Sequence, residues 1–255
     1  MLYNTEGIVI KTIAYGETHA ILTLLTPLGT VAVMARGAKK PQSRLRAGSI
    51  LCAKGIYSIY KRSGMGNLQQ VDIVQTYRLF HEHLELAAYA AYFCELAGTV
   101  AKEPSIGNES LYRLFDTLLF RLHQTPEDAE VLARIWEAKV LYILGAAPDW
   151  DHCVACGSLL SGPYSYSAKD GGFLCESCSS GMSISSKYLV RVSKGTAHVL
   201  KQFVHVPFDR LGRVSLSASA RMSIKIVLSN QLYEFAGLSL KSRTVLESLD
   251  IESFE

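Results

Sequence analysis

Two pairs of cysteines have the type and spacing that speak most directly of chemistry: Cys153-Val-Ala-Cys156 and, eighteen residues later, Cys175-Glu-Ser-Cys178. Two Cys-x-x-Cys pairs at this separation match the zinc-ribbon pattern. Each pair sits on a tight knuckle, and four thiolates complete a tetrahedron around one Zn2+ at about 2.3 Å. The stretch 164–173 between them reads as a hairpin turning at Asp170-Gly171-Gly172. Other uses of the thiols fit less well. Two disulfides call for an oxidising compartment, a redox Cys-x-x-Cys for a βαβ setting, and a catalytic zinc for an open position with His or carboxylate ligands. Four thiolates therefore predict one closed, structural zinc per chain. Cys52 and Cys94 lie in apolar surroundings and read as buried free thiols.

A second pattern is electrostatic. Arg36, Lys39, Lys40, Arg44 and Arg46 place five cations in eleven residues, in a segment whose Gly37 and Pro41 let backbone approach a ligand closely. Lys and Arg both meet phosphate, Arg through paired hydrogen bonds. Lys54, Lys61 and Arg62 follow, interleaved with Tyr57 and Tyr60, which either offer faces for stacked bases or belong to a core. Residues 1–80 hold ten Lys/Arg against three acids, +7 of a net +3, so the remainder carries −4. Such a concentration reads either as a polyanion-binding face or as a solvated basic surface.

The elements that must position these residues change period along the chain. Segments 6–13, 20–26, 29–36, 49–61 and 69–80 are rich in Val, Ile, Thr and Tyr, with Gly or Pro between them, which predicts five strands. Five strands in about 80 residues point to a small closed barrel, an OB-fold or its SH3-like rival. Thr26-Pro27-Leu28-Gly29 is the clearest hairpin turn. From Leu84 the period becomes helical. Leu111, Leu114, Phe115, Leu118, Leu119 and Leu122 form one stripe, and Thr125-Pro126 opens another helix with Thr as N-cap, ending at Gly145. Further helices are expected at 187–204 and 219–235, with Trp136 and Met222 in the core. The expected fold is α+β: an N-terminal five-stranded barrel over 1–80, then a helical domain over 81–255 with a zinc-finger insertion at about 150–181.

Several functions are excluded or disfavoured. The longest uncharged apolar run, between Glu85 and Glu95, is too short to cross a bilayer. Glu6 and Lys11 interrupt any signal-peptide core, so a cytoplasmic protein is expected. His83-Leu-Glu85 with a later Cys-x-x-Cys faintly follows the zinc-deaminase signature, but His152 stands where that signature has Pro. No phosphate loop, dinucleotide fingerprint or nucleophile elbow occurs, and no enzyme is expected.

Taken in order, Thr5-Glu6-Gly7-Ile8-Val9-Ile10, Tyr15-Gly16-Glu17, Arg36-Gly37-Ala38-Lys39-Lys40, the cysteine quartet and Leu240-Lys241-Ser242-Arg243 resemble the bacterial RecO family of recombination mediators over essentially the whole chain. The resemblance implies an OB-fold followed by a helical zinc-containing domain, in a nucleoid-associated protein that binds single- and double-stranded DNA. It further implies annealing of complementary strands without nucleotide hydrolysis. Its implied partners are RecR and the acidic C-terminal tail of single-stranded DNA-binding protein, with RecA loading as the outcome. For that tail, Arg113, Arg121 and Arg134 are candidate contacts. The competing readings are an RNA-binding or transcription-associated zinc-ribbon adaptor and a metal-dependent nucleic-acid hydrolase.

Overall fold

Strands β1 (Leu2–Tyr15), β2 (His19–Thr26), β3 (Gly29–Ala35), β4 (Lys54–Tyr60) and β5 (Gly66–Gln75) close on themselves in the order β1-β2-β3-β5-β4, and β2, β3 and β4 alternate more and less buried side chains along most of their length. Closure requires β1 to serve two neighbours. Its first half pairs with β4 and its second with β2, with an irregularity between Val9 and Lys11 that bends it from one partner to the other. The β3–β5 pair is parallel and all others antiparallel, the Greek-key closure of an OB-fold. Leu22, Leu24, Val33, Ala35, Ile59 and Leu68 fill the interior. At the β2–β3 turn the Thr26 hydroxyl donates to the Gly29 carbonyl (2.7 Å) and accepts from Leu28 N–H (3.2 Å), the hairpin that the sequence predicts.

The computed structural model describes residues 1–102, 107–161, 164–180 and 189–252, in two compact units: Met1–Ala129 with the segment from Leu240 onward, and Glu130–Ser239. In the first unit, two expected strand segments take other forms. Ser49 ends a 3-10 turn at Ala47–Ser49, residues 50–53 continue as an irregular turn, and β5 stops at Gln75. Cys52 (φ 64°) and Tyr77 (φ 49°) adopt left-handed backbone, which no ladder accommodates. Tyr57 is fully buried in the barrel, so its stacking reading falls; the ladder that turns Gly55, Tyr57 and Ile59 inward leaves Tyr60 outside.

Helices α1 (Leu79–Glu82), α2 (Leu84–Val100) and α3 (Asn108–Gln124) follow the barrel. The α3 stripe is buried as expected at Leu111, Phe115, Leu118, Leu119 and Leu122. Thr125 does not cap the next helix: its hydroxyl donates back to the Arg121 carbonyl at 3.0 Å, and a 3-10 turn over Pro126–Asp128 intervenes. Cys52 and Cys94 are buried free thiols with sulfurs 3.4 Å apart, and burial pushes the Cys94 thiol up.

The late Leu-Lys-Ser-Arg motif has a structural use. Leu240 is buried, and the Glu95 carboxylate of α2 accepts from Lys241 N–H (3.1 Å), Ser242 N–H (2.8 Å) and the Ser242 hydroxyl (2.5 Å) at the start of the last described helix, α8 (Ser242–Glu252). An anion at a helix N-terminus satisfies orphan donors and meets the positive end of the dipole.

In the second unit, α4 (Ala129–Ile143) is buried on every face from Val131 to Leu141, charges included. Arg134 pairs with Glu137 at 3.0 Å, and Lys139 Nζ donates to the Val206 carbonyl at 2.6 Å. Strands β6 (Tyr164–Ser167), β7 (Gly172–Leu174) and β8 (Leu189–Val192) form a small sheet in the order β7-β6-β8, with α5 (Glu176–Ser179) after β7. The helix expected over 187–204 is thus two elements over its described part, residues 187 and 188 lying outside the described residues. β-Branched Val190 and Val192 join a ladder with Tyr166 and Tyr164. Ser193 then caps α6 (Lys194–His205), its hydroxyl accepting from Thr196 N–H at 3.1 Å. Helix α7 (Ala218–Asn230) runs into a π-turn over Gln231–Phe235. Trp136 is core, as expected, whereas Met222 is 60% exposed and is not. No helix among the described residues is long and apolar enough to cross a membrane.

Partial burial alone would raise the Glu95 carboxyl, but the bonds from Ser242 and Lys241 outweigh it and hold the group below its ordinary 4.5. A depressed folded-state value contributes stability that is complete above the unfolded value and lost as pH falls through the folded one. Hydrogen-exchange protection of α8 should therefore be full near neutrality and fall once pH drops below about 4. Glu95→Gln should weaken protection already at pH 7; protection of α8 equal to that of the unsubstituted chain at pH 7 would remove the clasp.

Candidate nucleic-acid interface and metal centre

The basic segment after β3 is built, turn upon turn, from neutral hydrogen bonds. Lys40 N–H reaches the Gly37 carbonyl (3.1 Å), Ser43 N–H that of Lys40 (3.0 Å), Arg46 N–H that of Ser43 (3.1 Å) and Ser49 N–H that of Arg46 (3.1 Å). Gly37 has φ 69°, a conformation that a side chain would strain. Its N–H donates to His19 Nδ1 at 2.9 Å, while Lys39 N–H donates to the Thr18 carbonyl at 2.9 Å, so the β1–β2 turn holds the start of the segment. At its far end the Tyr57 hydroxyl lies 3.1 Å from the Gly48 carbonyl and 3.0 Å from that of Ala53. Ala38 is buried and Leu45 packs on the barrel core. The backbone is thereby fixed while Arg36, Lys39, Lys40, Arg44 and Arg46 all remain exposed.

Arg36 Nε donates to Asn67 Oδ1 at 3.2 Å, tying the end of β3 to the start of β5. The β4–β5 turn just before it carries exposed Lys61 and Arg62, and is itself tied down by Met1, whose ammonium donates to the Lys61 carbonyl at 2.7 Å. Among the described residues, no carboxylate lies within ion-pair distance of any of these seven cations. Lys54 differs. Its Nζ sits 2.7 Å from Asp116 and 3.2 Å from Glu6, with only 17% of the side chain exposed, so its charge is spent inside the first unit. Desolvation would lower its pKa, but the two carboxylates prevail and raise it. Of the arginines considered for an acidic tail, Arg134 is buried and paired with Glu137, while Arg113 is exposed and paired with Glu109 at 2.6 Å.

The four cysteines converge as their spacing predicts, with all sulfurs within 4.8 Å of one another. The first knuckle is closed by Gly157 N–H on the Cys153 carbonyl (2.8 Å), with Gly157 at φ 72°, and the second by Ser179 N–H on the Cys175 carbonyl (3.0 Å). The Cys156 and Cys175 sulfurs are 3.8 Å apart, against an edge of about 3.8 Å for a tetrahedron of thiolates around one zinc. Among themselves the four cannot all ionise. The Ser177 hydroxyl and Cys178 N–H draw Cys175 down to about 6, while hydrogen bonds with Cys175 and Cys156 push Cys178 up to about 12. A cation resolves this competition, and a soft divalent ion of tetrahedral preference fits the donor set. His152 is turned away to Asp149 (3.1 Å).

Sequence reasoning missed the residue that seats this centre. Gln231, fully buried in the π-turn, accepts from the Tyr166 hydroxyl (2.7 Å) and donates to the carbonyls of Ala146 (2.7 Å) and Gly171 (3.3 Å). A glutamine in an amphipathic stretch gives no local sign of such a role. Two glycines complete the seat: a Cβ at Gly172 would overlap Val154, and one at Gly171 would overlap Phe235.

Lys54→Ala should lower stability by about 1 kcal/mol, or a few degrees in Tm, because two carboxylates lose their shared partner. The salt dependence of polyanion binding should be unchanged, and a reduced slope would return Lys54 to the interface.

Two family models match this arrangement in sequence: Recombination protein O N terminal over residues 1–77 and Recombination protein O C terminal over residues 81–244. The DNA repair protein RecO of Bacillus subtilis is 39% identical over 98% of this chain and 96% of its own length. That of Bacillus pumilus is 38% identical over 98% and 95%, and that of Halalkalibacterium halodurans 35% over 100% and 98%. On matches of this extent, the chain belongs to the RecO family.

Proposed function

We propose that this chain is a DNA-binding recombination mediator of DNA repair that anneals complementary single strands by binding alone. The observation that carries the DNA-binding part is the set of seven exposed cations without carboxylate partners on a hydrogen-bonded barrel surface. Arg36, Lys39, Lys40, Arg44, Arg46, Lys61 and Arg62 meet phosphates on two strands. Strand–strand repulsion no longer opposes pairing, and counterion release drives the binding without nucleotide hydrolysis. The names of its relatives support the DNA-repair setting. Family membership also supports action with RecR, capture of the acidic tail of single-stranded DNA-binding protein, and loading of RecA onto coated strands, in the cytoplasm at the nucleoid. The barrel over 1–80 and the helical region over 81–255 then divide the work between DNA contact and scaffolding.

Cys153, Cys156, Cys175 and Cys178 would hold one Zn2+, and with all four ligands supplied as thiolates the ion would be structural and leave no position for substrate. Its role is to brace the short sheet.

If about five phosphates are met on a single strand, log K against log salt has a slope of about −3.5. Reversing charge at Lys39, Lys40 and Arg44 together should bring the slope to about −1.4 and weaken binding to all sequences alike. The same variant should slow annealing of complementary oligonucleotides coated by single-stranded DNA-binding protein. Unchanged affinity in dilute buffer would refute the loop assignment, and a chain that binds but fails to anneal would refute the mediator.

For the metal, elemental analysis of reduced protein should give about one zinc per chain. Cys153→Ser should loosen the second unit, since a structural zinc contributes on the order of 10 kcal/mol to local folding, while oligonucleotide affinity changes little. A stoichiometry near zero would reject the zinc.

A further inference from the structure

The outer face of β1–β2–β3 carries side chains that an electrostatic cradle leaves unused. Tyr15 is 55% exposed and Ile13 46%, with Ile21 and Met34 half-buried beside them. The ladder sets them on one surface: Tyr15 pairs with His19, Ile13 with Ile21, and Ile21 with Met34. Directly opposed residues of an antiparallel pair project to the same face. The alternate residues Ala20, Leu22, Val33 and Ala35 fill the core behind. His19 is also the residue whose ring accepts Gly37 N–H at 2.9 Å. Tyr15 therefore stands directly across the ladder from the anchor of the five-cation segment, and Gly16 (φ 57°) turns the chain immediately after it.

We propose that Tyr15 is a base-stacking residue, flanked by Ile13, that makes this barrel prefer single strands to duplex. The inference rests on the nucleic-acid reading above and goes beyond it, because phosphate contacts alone carry no such preference: a duplex has the denser charge. In a duplex every base is already stacked on its neighbours. An unpaired base has a free π-face, and a half-exposed phenol ring across the ladder from the anchor of the five-cation segment offers it a stacking partner, whatever the base. The neighbouring charges choose nucleic acid over protein as the occupant. A strand steered to Arg36, Lys39 and Lys40 passes the residue on which its bases can rest.

The test uses the full chain with two probes of equal phosphate number, an oligo(dT) strand and a blunt duplex, followed by fluorescence anisotropy across a salt series. Tyr15→Ala should weaken single-strand binding about tenfold at every salt concentration with the slope unchanged, since stacking releases no counterions. Duplex binding should change less than about twofold, and Tyr15→Phe should restore the wild-type value. Thermal stability should be unaffected, because the ring is half in solvent. An equal loss on both probes, no loss on either, or a lowered slope would overturn the proposal. So would an altered oligomeric state in light scattering with affinity intact, which would mark the face as a protein contact. Failure of the unsubstituted chain to bind either probe in dilute buffer is a separate result, and it would remove the underlying reading.

Discussion

Five cations held within eleven residues repel one another, and the first unit is constructed so that this repulsion is not relieved from within. The turns that hold Arg36 to Arg46 are closed by carbonyls, a histidine ring and a tyrosine hydroxyl, with no carboxylate among them. Lys54 shows the alternative. Placed on β4 facing α3, it finds Glu6 and Asp116 and becomes part of the packing. A loop that met carboxylates in the same way would be more stable and would have nothing left for a phosphate. The electrostatic strain is worth a fraction of a kcal/mol per exposed pair in salt, small beside the barrel core. Under the proposed function it is released when a polyanion takes the place that no carboxylate of the described residues occupies.

The second unit meets a different constraint. Its sheet has strands of four, three and four residues, far below what stands alone in water. A sheet of that size persists only if something outside its own ladders fixes it. Gln231 supplies one such tie, joining the hairpin at Tyr166 and Gly171 to the chain after α4, and an ion held by the four converging cysteines would supply a second. The buried charges of α4 fit the same pattern. Arg134, Glu137 and Lys139 are tolerated in a fully buried helix because each has a partner, the lysine finding a backbone carbonyl at the end of α6.

What could be read in the sequence was what depends on nearby residues. Runs of Val, Ile, Thr and Tyr between Gly and Pro breaks pointed to the strands, a period of 3.6 to the α3 stripe, Thr26-Pro27-Leu28-Gly29 to its turn, and the cysteine spacing to the sulfur cluster. Much of what could not be read depends on partners from 14 to 147 positions away. The charge of Lys54 is cancelled by Asp116, 62 residues on, and the late Ser242 is claimed by Glu95, 147 residues back. Tyr57 was ambiguous because its type suits either face of a strand, and only the register with β1 and β5 sends it inward. The segment 187–204 reads as a helix until Tyr164–Ser167 offers its first described residues a ladder. Met222 falls on the face of α7 opposite Ile224, Val227 and Leu228, the residues that helix buries.

An annealing protein must also let go, and the proposed division of labour supplies a reason why it can. Phosphate contacts hold duplex at least as well as single strand, so by themselves they would retain the product. A base stacked on Tyr15 contributes about 1–3 kcal/mol, close to the roughly 1.4 kcal/mol of one DNA stacking step. The two are near balance, so a complementary strand can take a base from the tyrosine without fuel. Once taken, the base has no free face to offer back. The aromatic part of the affinity vanishes step by step as pairs form, leaving the duplex on the salt-sensitive contacts alone, from which it exchanges readily. An annealer built of cations only would lack that asymmetry between substrate and product, and one built of aromatics only would not gather two strands of like charge.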